Sequence, residues 1–379
     1  MNGPRMPKKQ ITAARPLRVI IAGAGTGGHL FPGIAIAEAL GRTNGQLEIL
    51  FITTGRQVET DVLDRLGYAH KKITASGIKG KGLAQKLAAI TRLGIGLVQF
   101  LKTAKGFSPM AVIGMGGYAS APVIIGAYLF RVPRAICEQN RIPGLTNRVL
   151  SRFADRIYIS FPDTAFSGAR SKIVYAGNPV RKEILEQGKA HGRKAENKFT
   201  VLILGGSQGA HAVNTAVMDT LLFVEQKERY FFIHQAGEKD AGRVKQAYEN
   251  QKIAAEVRPF FDDMGSQYAK ADLVICRAGA STIAELCVMG LPAIFIPLPH
   301  AADNHQVLNA RFVVESGAAE MIEEKDITGK IVAERIGFYA GNAGHLSKMR
   351  ASMAKIAKTD AAELIVSDIV ENLIQNINT

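Results

Sequence analysis

The chain of 379 residues contains no tryptophan, and aromatic residues make up only 7% of it. Platforms that stack single-stranded nucleic acid are built from such rings, and no aromatic-basic interleaving or zinc pattern replaces them. A nucleic-acid partner is therefore not expected. Cysteine occurs three times, at Cys137, Cys276 and Cys287, with no metal-ligand spacing. Three cannot all pair, and all fall in apolar segments, so buried thiols in a reducing compartment are expected. The basic opening "MNGPRMPKKQITAARP" lacks an apolar core and does not read as a secretory signal. The longest stretch without charge, Gly106 to Phe130, is long enough to span a bilayer. Pro109, Pro122 and the "GMGG" turn divide it into strand, loop and helix, so no transmembrane segment is read. There is also no Asp-x-Asp pair, so a metal clamp is not called for, although metal stimulation stays open.

Acidic residues are missing in one region. No Asp or Glu lies between Asp64 and Glu138, where 11 Lys and Arg occur. Residues 1–180 hold 24 basic against 8 acidic residues, and residues 181–379 hold 23 against 25. One half of the molecule is therefore expected to face something anionic.

What is present is a chain long enough for two domains, 47% hydrophobic, and able to bury a large core. Short apolar runs alternate with helical patterns, the mark of βαβ units and parallel sheets. The strand candidates of the first half are "LRVIIA", "LEILFI", "KKITA", "MAVIG", "RAICE" and "DRIYIS". Those of the second are "FTVLIL", "RYFFIH", "AAEVRPF", "ADLVICR" and "LPAIFIP". The polar segment "GNPVRKEILEQGKAHGRKAENK" between them reads as an interdomain linker. Each half opens with a strand and a Gly-rich turn, which predicts an α/β protein of two similar, doubly wound, Rossmann-like domains facing a cleft.

The first turn lies in "AGAGTGGHLFPG", where Gly23, Gly25 and Gly28 have GxGxxG spacing. A nicotinamide cofactor would need a carboxylate at the end of the second strand, but "LEILFITTG" ends in Thr53, Thr54 and Gly55. A dehydrogenase is thus disfavoured. The loop still offers backbone N–H groups at a helix start, an anion site, with Pro32 in the first turn and Gly41 at the end. The other reading is a tight turn with no ligand. "GGSQGA" repeats the geometry and adds the Ser207 hydroxyl. "CRAGASTIAEL" is richer: Arg277 supplies a cation, Ala280, Ser281 and Thr282 supply donors, and Glu285 can accept from a ribose diol. A capped helix with an acidic first turn is the plainer alternative there.

"GTGGHLFPG", "GMGGYAS", "EQN", "GNPVR", "GGSQGA", "FFDDM", "CRAGASTIAEL" and "HQVLNA" occur in the order found in the MurG family. The chain resembles that family from about Leu17 to its last helix. The resemblance implies the two-domain GT-B fold and transfer of N-acetylglucosamine from UDP-N-acetylglucosamine. The implied acceptor is undecaprenyl-diphospho-N-acetylmuramoyl-pentapeptide, with inversion to a β-1,4 linkage at the cytoplasmic face of the inner membrane. The domains would be residues 1–180, facing acceptor and membrane, and 181–361, binding UDP-sugar, with a helix at about 362–379 returning to the first. Thr26, Gly27 and Gly28 would lie beneath the sugars, and Asn140 and Gln306 would read the donor sugar. Arg181 and Ser207 would serve the nucleotide. Phe261 would bond the uracil edge, with Phe260 near its face. Ala280, Ser281, Thr282, Ile283, Ala284 and Glu285 would hold diphosphate and ribose. Two features depart from the pattern: Ala24, where glycine is usual, and the basic arm of 16 residues.

Inverting transfer needs a base for the acceptor hydroxyl and stabilisation of the leaving diphosphate. His29, the titratable group of the first loop, is the candidate base, and a loop-fixing or substrate-binding role is its alternative. Glu138, His300 and His305 are weaker candidates, and Arg277 with the helix starts would serve the leaving group. The closest rival is an enzyme of the same fold acting on another lipid. For the basic half, an anionic membrane surface is the expected partner. Leu83, Leu87, Ile90, Leu97 and Leu101 are expected to share a helical face, with an exposed apolar patch over Ile78 to Leu97 ringed by Lys79, Lys81, Lys86, Arg92, Lys102 and Lys105.

Overall fold

The computed structural model describes residues 16–23, 27–43, 46–77, 83–168, 170–190, 198–206, 209–299 and 301–374. The basic arm, Ala24, Thr26, Ile78, Lys79, Lys81, Ser207 and His300 lie outside the described residues.

Two wholly parallel sheets organise the chain. The first contains β1 (Leu17–Ala22), β2 (Leu47–Thr53), β3 (Ala69–Lys72), β4 (Ala111–Gly114), β5 (Arg134–Glu138), β6 (Arg156–Ile159) and β7 (Ile173–Tyr175). Their order is β3-β2-β1-β4-β5-β6-β7. The second contains β8 (Phe199–Leu204), β9 (Tyr230–Gln235), β10 (Ala255–Arg258), β11 (Leu273–Cys276), β12 (Ala293–Phe295) and β13 (Ala319–Met321), ordered β10-β9-β8-β11-β12-β13. Central runs such as "VIIA" and "VLIL" are buried on both faces, as strands between two helical layers must be. In each sheet the order reverses beside the first strand, between β1 and β4 and between β8 and β11. A crevice opens at the carboxyl ends of strands at such a point. Gly23 follows β1, and Gly205 and Gly206 follow β8, so these glycines sit at the two crevices.

The polar segment read as a linker is partly a packed element. Lys182–Ala190 is a helix whose Ile184 and Leu185 enter the second domain's core with Leu286 and Val274. Two buried side chains among charged ones suffice to anchor a short helix, and composition alone hides them. The chain then returns to the first domain. Ala361–Asp368 and the π-helical turn Ile369–Ile374 bury Ala362, Ile365, Val366 and Ile369 with Leu30, Ile34 and Leu40. Asp368 fixes this return by accepting from Tyr158 Oη at 2.8 Å and Arg156 Nε at 3.2 Å.

The helix Leu83–Phe107 turns a different face outward than its leucines suggest. Ala89, Phe100 and Ala104 are buried, and Phe100 reaches the backbone of Gly126 where a Cβ would stand only 2.3 Å from the ring. Leu97 and Leu101 lie half-buried on that packed side, while Ile90, Ile95 and Val98 face outward. The side chains of residues 83–87 are outside the described residues. Apolar residues occur nearly all round this helix, so periodicity alone could not choose its buried face. None of the helices among the described residues is long and apolar enough to cross a membrane.

The end of β9 is braced by a buried polar chain. Tyr248 Oη donates to His234 Nδ1 at 3.2 Å, and His234 Nε2 donates to Asn214 Oδ1 at 3.0 Å. The Asn214 amide donates to Ala236 O at 2.8 Å and Asp240 at 2.9 Å, which fixes its orientation. Burial holds His234 neutral, lowering its pKa from 6.5 to about 3, with Asp240 pulling weakly the other way. As pH falls through that window the unfolded chain takes up a proton that the folded chain refuses, so stability is lost toward acid. The advantage of wild type over His234→Gln is expected to shrink by about 1.4 kcal/mol per pH unit below 6.5. Urea unfolding of both proteins at neutral and mildly acid pH measures this, and a constant gap would refute it.

Candidate active site

The first helix, Gly27–Gly41, carries Gly27, Gly28 and His29 in its opening turn at the crevice of the first sheet. Pro32 lies in the second turn of this helix rather than the first. Proline has no N–H, so the Gly28 carbonyl four residues earlier lacks its helical donor. Ser281 Oγ, from the second domain, donates to that carbonyl at 3.1 Å. Asn178 in turn donates to Ser281 Oγ at 3.4 Å. The broken helical bond thus becomes a contact between domains.

His29 is half-buried, with Nδ1 at 3.2 Å from Gln139 Oε1. Burial lowers its pKa below 6.5. Glu138, Gln139 and the Met115 carbonyl oppose that shift, and His305 adds to it. Among the alternatives, Glu138 is saturated. Its oxygens accept from Asn140 N (3.0 Å) and Nδ2 (3.2 Å), Gly144 N (3.0 Å) and Asn147 Nδ2 (2.9 Å). Those bonds assign it to shaping the loop after β5. Asn140 also spans the cleft: its Oδ1 accepts from Asn309 Nδ2 at 3.1 Å, and Asn309 Oδ1 accepts from Arg141 N at 3.0 Å. The Asn309 side chain is fully buried and also reaches Ala278 O of the second domain.

In the second domain the helix Ala280–Met289 begins at the end of β11, capped by Gly279 in extended conformation. Ser281, Thr282 and Ala284 are partly exposed in its first turns, and Ala280 and Ile283 are buried. Glu285 is buried; Oε2 accepts from Tyr268 Oη at 2.8 Å, and Oε1 faces Arg181 at 3.6 Å. Burial raises the Glu285 pKa, opposed first by Arg181 and then by Tyr268. Arg181 also pairs with Glu183 at 2.8 Å and lies 4.3 Å over the Phe31 ring.

Arg277 is less available than the sequence suggested. Its guanidinium pairs with Glu324 at 2.5 Å and donates to the carbonyls of Ile296 (3.1 Å) and Pro297 (3.2 Å). Its charge is already balanced, and it ties the end of β11 to the loop after β12. The Phe261 N–H is likewise engaged, donating to Gln235 Oε1 at 3.0 Å, while Phe260 is exposed. Gln306 Oε1 accepts from Leu298 N at 2.9 Å. Among the described residues, no three His, Cys, Asp or Glu side chains group as metal ligands do. Sequence reasoning named neither Gln139 nor Asn309, although each stands inside a quoted motif, "EQN" and "HQVLNA".

Two parallel-sheet domains in contact through Ser281 with Gly28 and through Asn309 with Asn140 have the architecture of the GT-B fold. The profile of the glycosyltransferase family 28 N-terminal domain matches residues 19–159, and that of the C-terminal domain matches residues 200–365. A protein of Syntrophus aciditrophicus is 44% identical over 94% of this chain and 98% of its own. It is named UDP-N-acetylglucosamine–N-acetylmuramyl-(pentapeptide) pyrophosphoryl-undecaprenol N-acetylglucosamine transferase. The protein of that name from Geotalea uraniireducens is 43% identical over 93% of the chain and 98% of its own. The crystal structure of Acinetobacter baumannii MurG superposes with a TM-score of 0.74 at 29% identity, covering 95% of this chain and all of that one. The chain belongs to the MurG family of N-acetylglucosamine transferases within glycosyltransferase family 28.

Proposed function

We propose that this protein is an inverting hexosyltransferase moving N-acetylglucosamine from UDP-N-acetylglucosamine to the 4-hydroxyl of undecaprenyl-diphospho-N-acetylmuramoyl-pentapeptide, which converts lipid I to lipid II in peptidoglycan synthesis. The observation that carries this reading is 44% identity to a transferase of that name across nearly the full length of both chains. His29 takes the acceptor proton, Asn140 and Gln306 serve the donor sugar, and Arg181, Phe261 and Glu285 serve the nucleotide. Thr26 and Ser207 keep the donor-site roles that the resemblance gives them. The start of the Ala280–Met289 helix, its dipole directed at the cleft, supports the departing diphosphate. A radiolabelled transfer assay tests the assignment. Label is expected to pass from UDP-N-acetylglucosamine, and far more slowly from UDP-glucose, to lipid-linked muramoyl-pentapeptide. Equal use of both donors, or no transfer to that acceptor, would reject it.

The protein works as a peripheral protein on the cytoplasmic face of the inner membrane, docking through the basic first domain. Outward-facing Ile90, Ile95 and Val98 carry Arg92, Lys102 and Lys105 on the same helix, and exposed Tyr128, Leu129 and Phe130 end the helix packed against it. Each cation near an anionic surface contributes about 1 kcal/mol, and each inserted aliphatic side chain about 1.5–3 kcal/mol. The double substitution Ile95→Glu with Val98→Glu is therefore expected to abolish sedimentation with anionic vesicles. It should slow turnover of long-chain acceptor and spare a short-chain, water-soluble one. Unchanged vesicle binding would place the docking face elsewhere.

A further inference from the structure

The His29 ring is held in one orientation by groups that come from two different strand ends, those of β4 and β5. Gln139, the first residue after β5, is buried at 3% exposure. Its Nε2 donates to the Cys137 carbonyl at 3.4 Å, so Oε1 is the atom turned toward His29 Nδ1 at 3.2 Å. The reversed amide would set two carbonyl oxygens against each other at Cys137. An amide oxygen only accepts, so the hydrogen of this bond resides on Nδ1, and a neutral imidazole carries one such hydrogen. Gly116, after β4, closes the other side of the ring. Its φ is +95°, and a Cβ there would stand 2.9 Å from His29 Cε1 and 3.0 Å from Nδ1. A side chain at this position would force the ring out of register with Gln139.

We infer that Gln139 is a positioning residue: it holds His29 as the Nδ1–H tautomer and leaves Nε2 as the nitrogen able to take a proton. The inference rests on the reading of His29 as the base. In that step the acceptor 4-hydroxyl gives its proton to Nε2 and its oxygen bonds to C1 of the donor sugar. The C1–O bond to UDP breaks, and its electron pair leaves with the diphosphate. A neutral amide suits this task because it orients the ring without adding charge. Among the described residues, the charged and titratable groups facing the ring are Glu138 from the end of β5 and His305 from the second domain, beside the Met115 carbonyl. A carboxylate in place of Gln139 would add a second anion on the Nδ1 side and stabilise the imidazolium, spoiling the base at neutral pH.

The test uses full-length protein labelled with ¹⁵N-histidine, with His29 signals assigned by their loss in His29→Gln. Wild type is expected to show a protonated Nδ1 and an unprotonated Nε2 at neutral pH. Gln139→Met, which keeps the length but neither hydrogen bond, should show mixed tautomers. Its kcat should fall at least about tenfold with the KM for UDP-N-acetylglucosamine within about twofold. Gln139→Glu should titrate His29 at higher pH and move the acid limb of the kcat profile upward by about one pH unit or more. A protonated Nε2 in wild type, or identical His29 titration in wild type and Gln139→Glu, would overturn the inference. If the imidazole signals follow Gln139 while kcat does not, the positioning role stands and the reading of His29 as base falls. Should Gln139→Met fail to fold, the near-isosteric Gln139→Glu carries both readouts alone.

Discussion

Replacing His29 by alanine is expected to lower kcat by about 10²- to 10⁴-fold, the usual contribution of a positioned general base. UDP affinity should stay near that of wild type, because Glu285 and Phe261, the residues proposed to serve the nucleotide, lie in the other domain. The pH dependence carries the sign. Burial lowers the pKa of His29, so the neutral, proton-accepting form persists below pH 6.5. The acid limb of the wild-type kcat profile is therefore expected below 6.5, and the alanine variant should lose it. Glu138 is a poor substitute, since four donors already occupy its oxygens. Steady-state kinetics across pH, alongside UDP titration, checks both parts. Retention of most of kcat would reduce His29 to a residue that shapes the loop.

Much of this site was legible because glycine and apolar runs leave strong marks. Every strand read from sequence is present, since a run such as "VLIL" between charged segments has few other ways to be buried. The edge strands were harder. β7 and β13, "IVY" and "AEM", have three half-buried residues each and no alternation to betray them. β3 occupies Ala69–Lys72, two residues before the expected "KKITA", because at this polar edge pairing with β2 and not apolar content sets the register. Long-range partners were illegible for a different reason. That Glu324 neutralises Arg277, that Asn309 bonds Asn140, and that Pro32 frees a carbonyl for Ser281 depend on separations of 47, 169 and 249 residues along the chain. Local patterns show which residues carry chemistry. They do not show which are already engaged by a partner.

Glu285 makes that distinction measurable, because two different losses are bound up in one side chain. Its Oε2 accepts from Tyr268 Oη at 2.8 Å, and Oε1 lies 3.6 Å from Arg181. A carboxylate has further lone pairs, so both roles, ribose acceptor and buried partner, can coexist. Glu285→Ala would leave the buried Tyr268 hydroxyl without its acceptor and is expected to destabilise the second domain by about 2–4 kcal/mol. It should also weaken UDP binding by about 1–3 kcal/mol through lost charge-assisted hydrogen bonds, roughly 5- to 150-fold. Glu285→Gln separates the two effects. Its amide oxygen can still accept from Tyr268, and it escapes the burial that raises the carboxyl pKa. The Gln variant is therefore expected to unfold within about 1 kcal/mol of wild type. It should still bind UDP several-fold more weakly, because an amide forms weaker bonds to a ribose diol than a carboxylate does. Urea unfolding gives the first quantity and calorimetric titration with UDP the second. Wild-type UDP affinity in a folded Glu285→Gln would leave Glu285 as a partner of Tyr268 and Arg181 alone, and the ribose would have to be held by other groups.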